Sequence, residues 1–243
     1  MRIPTIQGTI DRRILVNYRV DPSVLQKFLP SPLRPKLIHG VGLAGICLIR
    51  LKYIRPQMLP AQIGISSENA AHRIAVEWEE NGERREGVYI PRRDTSSQLV
   101  TFVGGRIFPG IHHLATFQVA ESDERFHVQL ASNDGETWVD VEAQRVSRLP
   151  TTSIFTSLEE ASTFFEQGSV GYSMTEQADQ LDGLELRCAN WKVEPLQIIK
   201  VRSSFFDNPC RFPEGSAQLD CALLMQNVAH TWYSREPLHL KSA

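Results

Sequence analysis

The sequence predicts a mainly β (α+β) fold, a closed or sandwiched antiparallel sheet with a few peripheral helices. Three observations predict it. Apolar and polar residues alternate with a two-residue period in many short runs. Turn signals such as Asn81-Gly82 and Asn133-Asp-Gly separate those runs. Helical stripes are few.

The elements follow in order. Ile14 to Val20 is rich in β-formers, and Asp21-Pro22 then opens a short helix with an aspartate cap and proline at its first position. Val24, Leu25, Phe28 and Leu29 form its apolar stripe, and Pro30 stops it. Leu43 to Ile54 reads as extended, with Cys47, Ile49, Leu51 and Tyr53 on one face and Ile46, Leu48, Arg50 and Lys52 on the other. Pro56 to Ser67 reads as an irregular loop. Ile74, Val76 and Trp78 then alternate with Ala75, Glu77 and Glu79, and the chain returns through Val88 to Arg92. Further strands are expected at Gln98 to Gly104, Leu114 to Ala120, Phe126 to Ala131 and Thr137 to Val146. Ser157-Leu-Glu-Glu160 fits a helical capping box with Gly168 as its stop. Strands resume from Leu184 to Ser203. From Ala217 to about Trp232 the spacing of Cys221, Leu224, Met225, Val228 and Trp232 predicts a closing helix. Residues 1–243 read as one domain, with no repeat, low-complexity segment or linker.

Composition narrows function. The chain has 42% hydrophobic and 22% charged residues and a net charge of −2, which is ordinary globular composition. A phosphate-tracking basic surface has no support, and aromatics are not interleaved with Arg84-Arg85 or Arg92-Arg93, so nucleic acid is not an expected partner. No apolar run approaches the length of a membrane helix and no signal core opens the chain, so the cytoplasm is the default expectation and no membrane is expected. Four widely spaced cysteines, Cys47, Cys188, Cys210 and Cys221, read as reduced core thiols.

Several motifs fail on physical grounds. His39-Gly40-Val-Gly42-Leu-Ala-Gly45 contains GxGxxG, yet the following residues read as a strand rather than the helix that would hold a pyrophosphate. A turn and a closely packed strand explain these glycines better. His72, His112, His113 and Glu68 raise the question of a metal, but adjacent histidines on a strand point to opposite faces, so neither a metal nor another cofactor is expected.

One stretch carries a resemblance. Val16-Asn-Tyr18-Arg19-Val-Asp21, followed by the short helix and Pro30-Ser-Pro32-Leu33, looks like the N-terminal signature of the acetoacetate decarboxylase superfamily. Gly105-Arg106-Ile-Phe-Pro-Gly-Ile-His112-His113 resembles the stretch that holds the decarboxylase's adjacent catalytic lysines, and Leu219-Asp220-Cys-Ala222 echoes the family's last helix. Arg106, Phe108, His112, His113, Ala115 and Ser67-Glu68-Asn69 are similar to an uncharacterised bacterial branch, a domain of unknown function. The resemblance implies a central antiparallel β-barrel or cone around a small-molecule cavity. It implies a site of Glu68, His112 and His113 as acid/base groups, with Arg12, Arg93 or Arg106 orienting a keto or carboxylate ligand. Arg13 matches the position of Arg12 equally well. Members often assemble, so a homo-oligomer is compatible with it, although no stripe marks an interface.

The departure governs mechanism. Imidazole cannot form the imine of a Schiff-base lysine, and none of Lys27, Lys36, Lys52, Lys192, Lys200 and Lys241 lies in the matching stretch. Two functions stay open: an enzyme of His/Glu acid–base chemistry without an imine, and a non-catalytic ligand-binding barrel serving as sensor or carrier. A third, a decarboxylase using a displaced lysine, trails both; Lys52 is its candidate.

Overall fold

Long alternating runs make long strands, and here they are long enough to serve several neighbours at once. The structure, a computed structural model, describes residues 5–103, 110–177 and 179–240. Among these the strands are β1 (Ile6–Val20), β2 (Arg34–Pro35), β3 (Leu37–Ile38), β4 (Val41–Pro56), β5 (Ile65–Glu80), β6 (Glu83–Thr95) and β7 (His113–Glu121). They continue as β8 (Arg125–Ser132), β9 (Trp138–Arg145), β10 (Val170–Met174), β11 (Gln180–Cys188), β12 (Glu194–Ser203) and β13 (Ala217–His239). The helices are α1 (Pro22–Gln26), α2 (Gln98–Val103) and α3 (Leu158–Gln167).

The strand pairings close two rings. The smaller runs β13-β1-β4-β5-β6-β10-β11 and back to β13. The larger shares β13, β1, β4, β5 and β6, then continues through β7, β8, β9 and β12 to β13. The branches part at two strands. β6 offers Val88–Ile90 to β10 and Asp94–Thr95 to β7. β13 offers Glu194's partner Leu224 and its neighbours to β12, and residues from His230 onward to β11.

The shared strands therefore have an interior on each side. Ile14, Val16, Ile46, Leu48, Ile74 and Val76 face the larger ring, where Phe126, Val128, Val141 and the Phe205–Phe206–Phe212 cluster fill the space. Leu15, Cys47, Leu51, Cys221 and Leu223 face the smaller ring, which α3 covers with Phe165. Burial on both faces also explains the main departure from expectation. Residues Asp220 to Met225 are all buried, so β13 shows no alternation and its apolar residues mimic a helical stripe. The closing segment is a strand. Gln98–Val103 departs the other way: Ser97 Oγ accepts the Val100 N–H at 3.2 Å, and this cap starts α2 where a strand is expected. β5 also begins at Ile65, inside the expected loop.

Local signals elsewhere are realised as read. Asp21 accepts from the Ser23 N–H at 2.7 Å to cap α1, and Ser157 accepts from the Glu160 N–H at 3.1 Å to cap α3. Asn81 and Gly82 take positive φ in the β5–β6 turn. The glycines of the false nucleotide motif serve packing: His39 and Gly40 turn with positive φ into β4, and a side chain at Gly45 would collide with the Val16 carbonyl.

His72 is a buried polar side chain among the aromatic residues of the larger ring. It is 1% exposed, stacks near Phe205 at 4.7 Å and reaches Ser203 Oγ at 3.4 Å. Burial, with Arg92 and Arg211 adding to it, pushes its pKa down to about 3. The unfolded chain therefore binds more protons than the native one below the ordinary histidine value near 6.5, and stability falls as pH drops through that range. Denaturant titrations at pH 7 and pH 5 should show wild type losing on the order of 2 kcal/mol more than His72→Leu over that interval. Equal losses would show that His72 does not carry the effect.

Candidate functional site in the smaller ring

The smaller ring encloses a cavity of about 150 Å³, a volume that in protein cores accommodates a benzene-sized molecule. Its wall is largely apolar, with Ile49, Leu51, Ile90, Phe165, Leu186 and Trp232 among its residues. Against this stand six charged or titratable side chains among the described residues: Arg13, Cys47, Arg73, Arg93, Asp94 and His112. Such a lining, apolar with a few convergent polar groups, is the usual make-up of a small-molecule site.

The strand period decides which neighbours reach it. Arg13 on β1 lines the cavity, stacked 5.6 Å from the Trp191 ring, and its Nε and Nη1 are buried without an acceptor among the described residues. Arg12, one residue earlier, faces the larger ring and is 1% exposed. It bonds Glu68 at 2.6 Å and Glu121 at 2.7 Å. Arg50 joins the same two carboxylates and Asp11, and Lys52 pairs with Asp11 at 2.7 Å. The rows are in register, Arg12 opposite Arg50 and Arg50 opposite Glu68, while Glu121 reaches them from β7. This ion cluster lies on the opposite face from the cavity. Glu68 is therefore not brought together with His112. The period of β5 carries the signal, since Ser67, Asn69, Ala71 and Arg73 all line the cavity.

The two histidines part in the same way. His112 lines the cavity, and its Nδ1–H donates to the Gly110 carbonyl at 3.1 Å, which puts the ring's lone pair on Nε2. Burial first and Arg93 second push its pKa down to about 3, so the ring is neutral at pH 7. His113 begins β7 and turns away to Asp134, at 3.0 Å. Asp134 also receives Arg92, which bonds Asp94 in turn. Asp94 is fully buried, its Oδ2 has no hydrogen-bond partner among the described residues, and burial raises its pKa.

Arg93 donates Nε–H to Ser173 Oγ at 2.9 Å; burial pushes its pKa down to about 10, which leaves it cationic. Arg73, which the motifs do not reveal, crosses β4 to hydrogen-bond Asn17 on β1. Asn17, Gly45 and Arg73 lie in one row, and the bare Gly45 leaves that path open. Arg73 also stacks 4.8 Å from the Phe165 ring. Arg106 lies outside the described residues. Among the described residues no lysine lines the cavity, and no three His, Cys, Asp or Glu side chains converge as a metal site would require. No helix among them is long and apolar enough to cross a membrane.

Two expectations follow. Arg12→Met leaves Glu68 and Glu121 short of a buried countercharge and should cost about 3 kcal/mol in denaturant unfolding, whereas Arg13→Met, which breaks no ion pair, should change stability by less than about 1 kcal/mol. Similar losses from both would contradict the opposite placement of the two side chains. In NMR titrations the His112 ring should stay neutral through the whole range from pH 8 down to pH 5, and Arg93→Met should move its titration upward.

Comparison with known proteins places this architecture. An acetoacetate decarboxylase-like enzyme from Sphingomonas wittichii RW1 is similar over 100% of this chain and 95% of its own, with a TM-score of 0.62 and 13% identity. Acetoacetate decarboxylase from Legionella pneumophila subsp. pneumophila str. Philadelphia 1 is similar over 98% of this chain and 88% of its own, with a TM-score of 0.59 and 11% identity. The enduracididine biosynthesis enzyme MppR, complexed with pyruvate, is similar over 99% of this chain and 92% of its own, with a TM-score of 0.58 and 14% identity. At such identities the likeness is one of fold, and the fold is acetoacetate decarboxylase-like. No curated protein matches the chain. The family model of uncharacterized conserved proteins named DUF2071 matches residues 8–225, and the chain belongs to that family.

Proposed function

We propose that the protein binds a small keto acid or related carboxylate in the cavity of the smaller ring, with Arg13 and Arg93 as its cationic anchors. Arg13 carries the reading. Buried donors without acceptors are rare and cost about 1–3 kcal/mol each, and Arg13 has two of them on an apolar wall. A carboxylate supplies acceptors for such donors in charge-assisted bonds. The fold neighbour MppR, crystallised with pyruvate, lends the keto-acid class further support. The reading takes the whole chain as one domain, because the two rings share five strands and neither closes without them.

In the enzymatic form of this reading, acid–base work falls to His112. Glu68 is committed to Arg12 and Arg50, and His113 to Asp134. A ring with a pKa near 3 is a poor proton acceptor in the empty cavity, which favours the second reading, a carrier or sensor that binds without turnover. An anion on Arg93 offsets the charge that opposes protonation of His112, so ligand binding itself would raise its basicity. The displaced-lysine reading finds no support on the wall: Lys52 faces away and pairs with Asp11.

Calorimetric titration with pyruvate and with acetoacetate tests the proposal. Both should bind, and Arg13→Met should weaken binding about 10- to 100-fold, the worth of one charge-assisted bond. Unchanged affinity in Arg13→Met would remove the proposal. Borohydride added with either compound should leave every lysine unmodified, and turnover that His112→Ala abolishes would decide for the enzyme over the carrier.

A further inference from the structure

The cavity holds a potential nucleophile that neither the acid–base nor the carboxylate argument uses. Cys47 lies on its wall as a free thiol, 7% exposed. The other three cysteines are elsewhere. Cys221 is buried and accepts the Asn17 amide N–H at 3.6 Å, Cys188 borders a separate surface groove, and Cys210 is exposed.

The sheet register surrounds Cys47 with cations. Cys47 pairs with Ala71 on β5, and Ala71 pairs with Arg93 on β6, so the thiol and Arg93 occupy one row across three strands. Arg73 stands two residues along β5 from Ala71 and lines the same cavity. Both guanidiniums are within electrostatic range of the Cys47 sulfur. A second observation points to a ligand at this spot. Arg73 is only 8% exposed, and its Nε has no acceptor among the described residues. An anion entering the cavity is thus drawn to the wall that presents the thiol.

We infer that Cys47 is the nucleophile of this cavity, placed to add to a small anionic electrophile, foremost the carbonyl of a 2-oxo acid whose carboxylate rests on the arginines. The inference deepens the keto-acid reading and rests on it for the natural ligand. The step is an addition. A bond forms between sulfur and the carbonyl carbon, the carbonyl π pair moves to oxygen, and the thiol proton ends on that oxygen. Nothing is oxidised or reduced, no group leaves, and the product is a reversible hemithioketal. The adduct holds the carbonyl carbon covalently but, having no C=N bond, offers no electron sink of the kind an imine provides.

Two measurements on the full chain test this. In the first, iodoacetate and iodoacetamide are compared at equal concentration, with each cysteine followed by peptide mass mapping and the exposed Cys210 as internal reference. The iodoacetate-to-iodoacetamide rate ratio at Cys47 should exceed that at Cys210 by about ten-fold, the low end of what a focused field does to a local anion concentration. Arg93→Met should reduce that excess. A Cys47 ratio equal to that of Cys210, or a Cys47 inert to both reagents, would overturn the inference. In the second, carbon-13 NMR of pyruvate labelled at its carbonyl carbon should show a bound tetrahedral carbon with wild type and none with Cys47→Ala. If pyruvate binds both proteins equally with no tetrahedral carbon, covalent capture fails and the keto-acid cavity stands. If pyruvate binds neither while the iodoacetate preference persists, the keto-acid reading fails and Cys47 stands as an anion-directed nucleophile.

Discussion

Everything in this fold depends on a sheet whose middle strands are buried on both faces. In an ordinary antiparallel sheet one face meets water and the sequence alternates accordingly. Here β13, β1, β4, β5 and β6 belong to two closed rings at once, so successive side chains report to two different interiors. One interior is packed with aromatic and aliphatic side chains, and the other keeps a cavity. The separation is enforced by the pleat itself, because a slip of one residue would send every side chain to the wrong interior.

The division explains why charged residues sit so deep on both sides without competing. On the larger ring's side, cation and carboxylate meet in the protein: Arg12, Arg50 and Lys52 are matched by Asp11, Glu68 and Glu121. On the cavity side the cations outnumber the carboxylates among the described residues, with Arg13, Arg73 and Arg93 lining it beside Asp94, which is already bonded to Arg92. The first arrangement is complete as it stands. The second leaves a surplus of positive charge among the described residues, and that imbalance is what the proposed carboxylate would offset.

Sequence reading recovers much of this and fails where both faces are buried. The faces of β4 were legible as far as Lys52, with Cys47, Ile49 and Leu51 together and Arg50 and Lys52 opposite, because polar residues remain on one side. Tyr53, expected on the Cys47 face, takes a positive φ at a register shift and is exposed, and Ile54 lines the cavity instead. The end of the chain was not, because Asp220 to Met225 are buried on both faces and an unbroken apolar run fits a helix as well as a strand. The choice between Arg12 and Arg13 needs the absolute register of β1, which pairing with β4 and β13 sets from far along the chain. The parallel contacts of β6 with β7 and β10, which bring His112 and Arg93 to one cavity, leave no local trace. Arg73 and Cys47 belong to no motif. They become visible only when three strands are laid side by side.

The row Asn17–Gly45–Arg73 shows how little separates an open cavity from a closed one. Arg73 is held back against the wall because its path to Asn17 runs over a residue with only a hydrogen on its α-carbon. A β-carbon at Gly45 would first meet the backbone of Val16 and Asn17, so it would press β4 away from β1. That same seam seats Asn17, the residue that holds the Arg73 guanidinium. The shape of the void is thus tied to a close approach between two strands at a residue that does not line it.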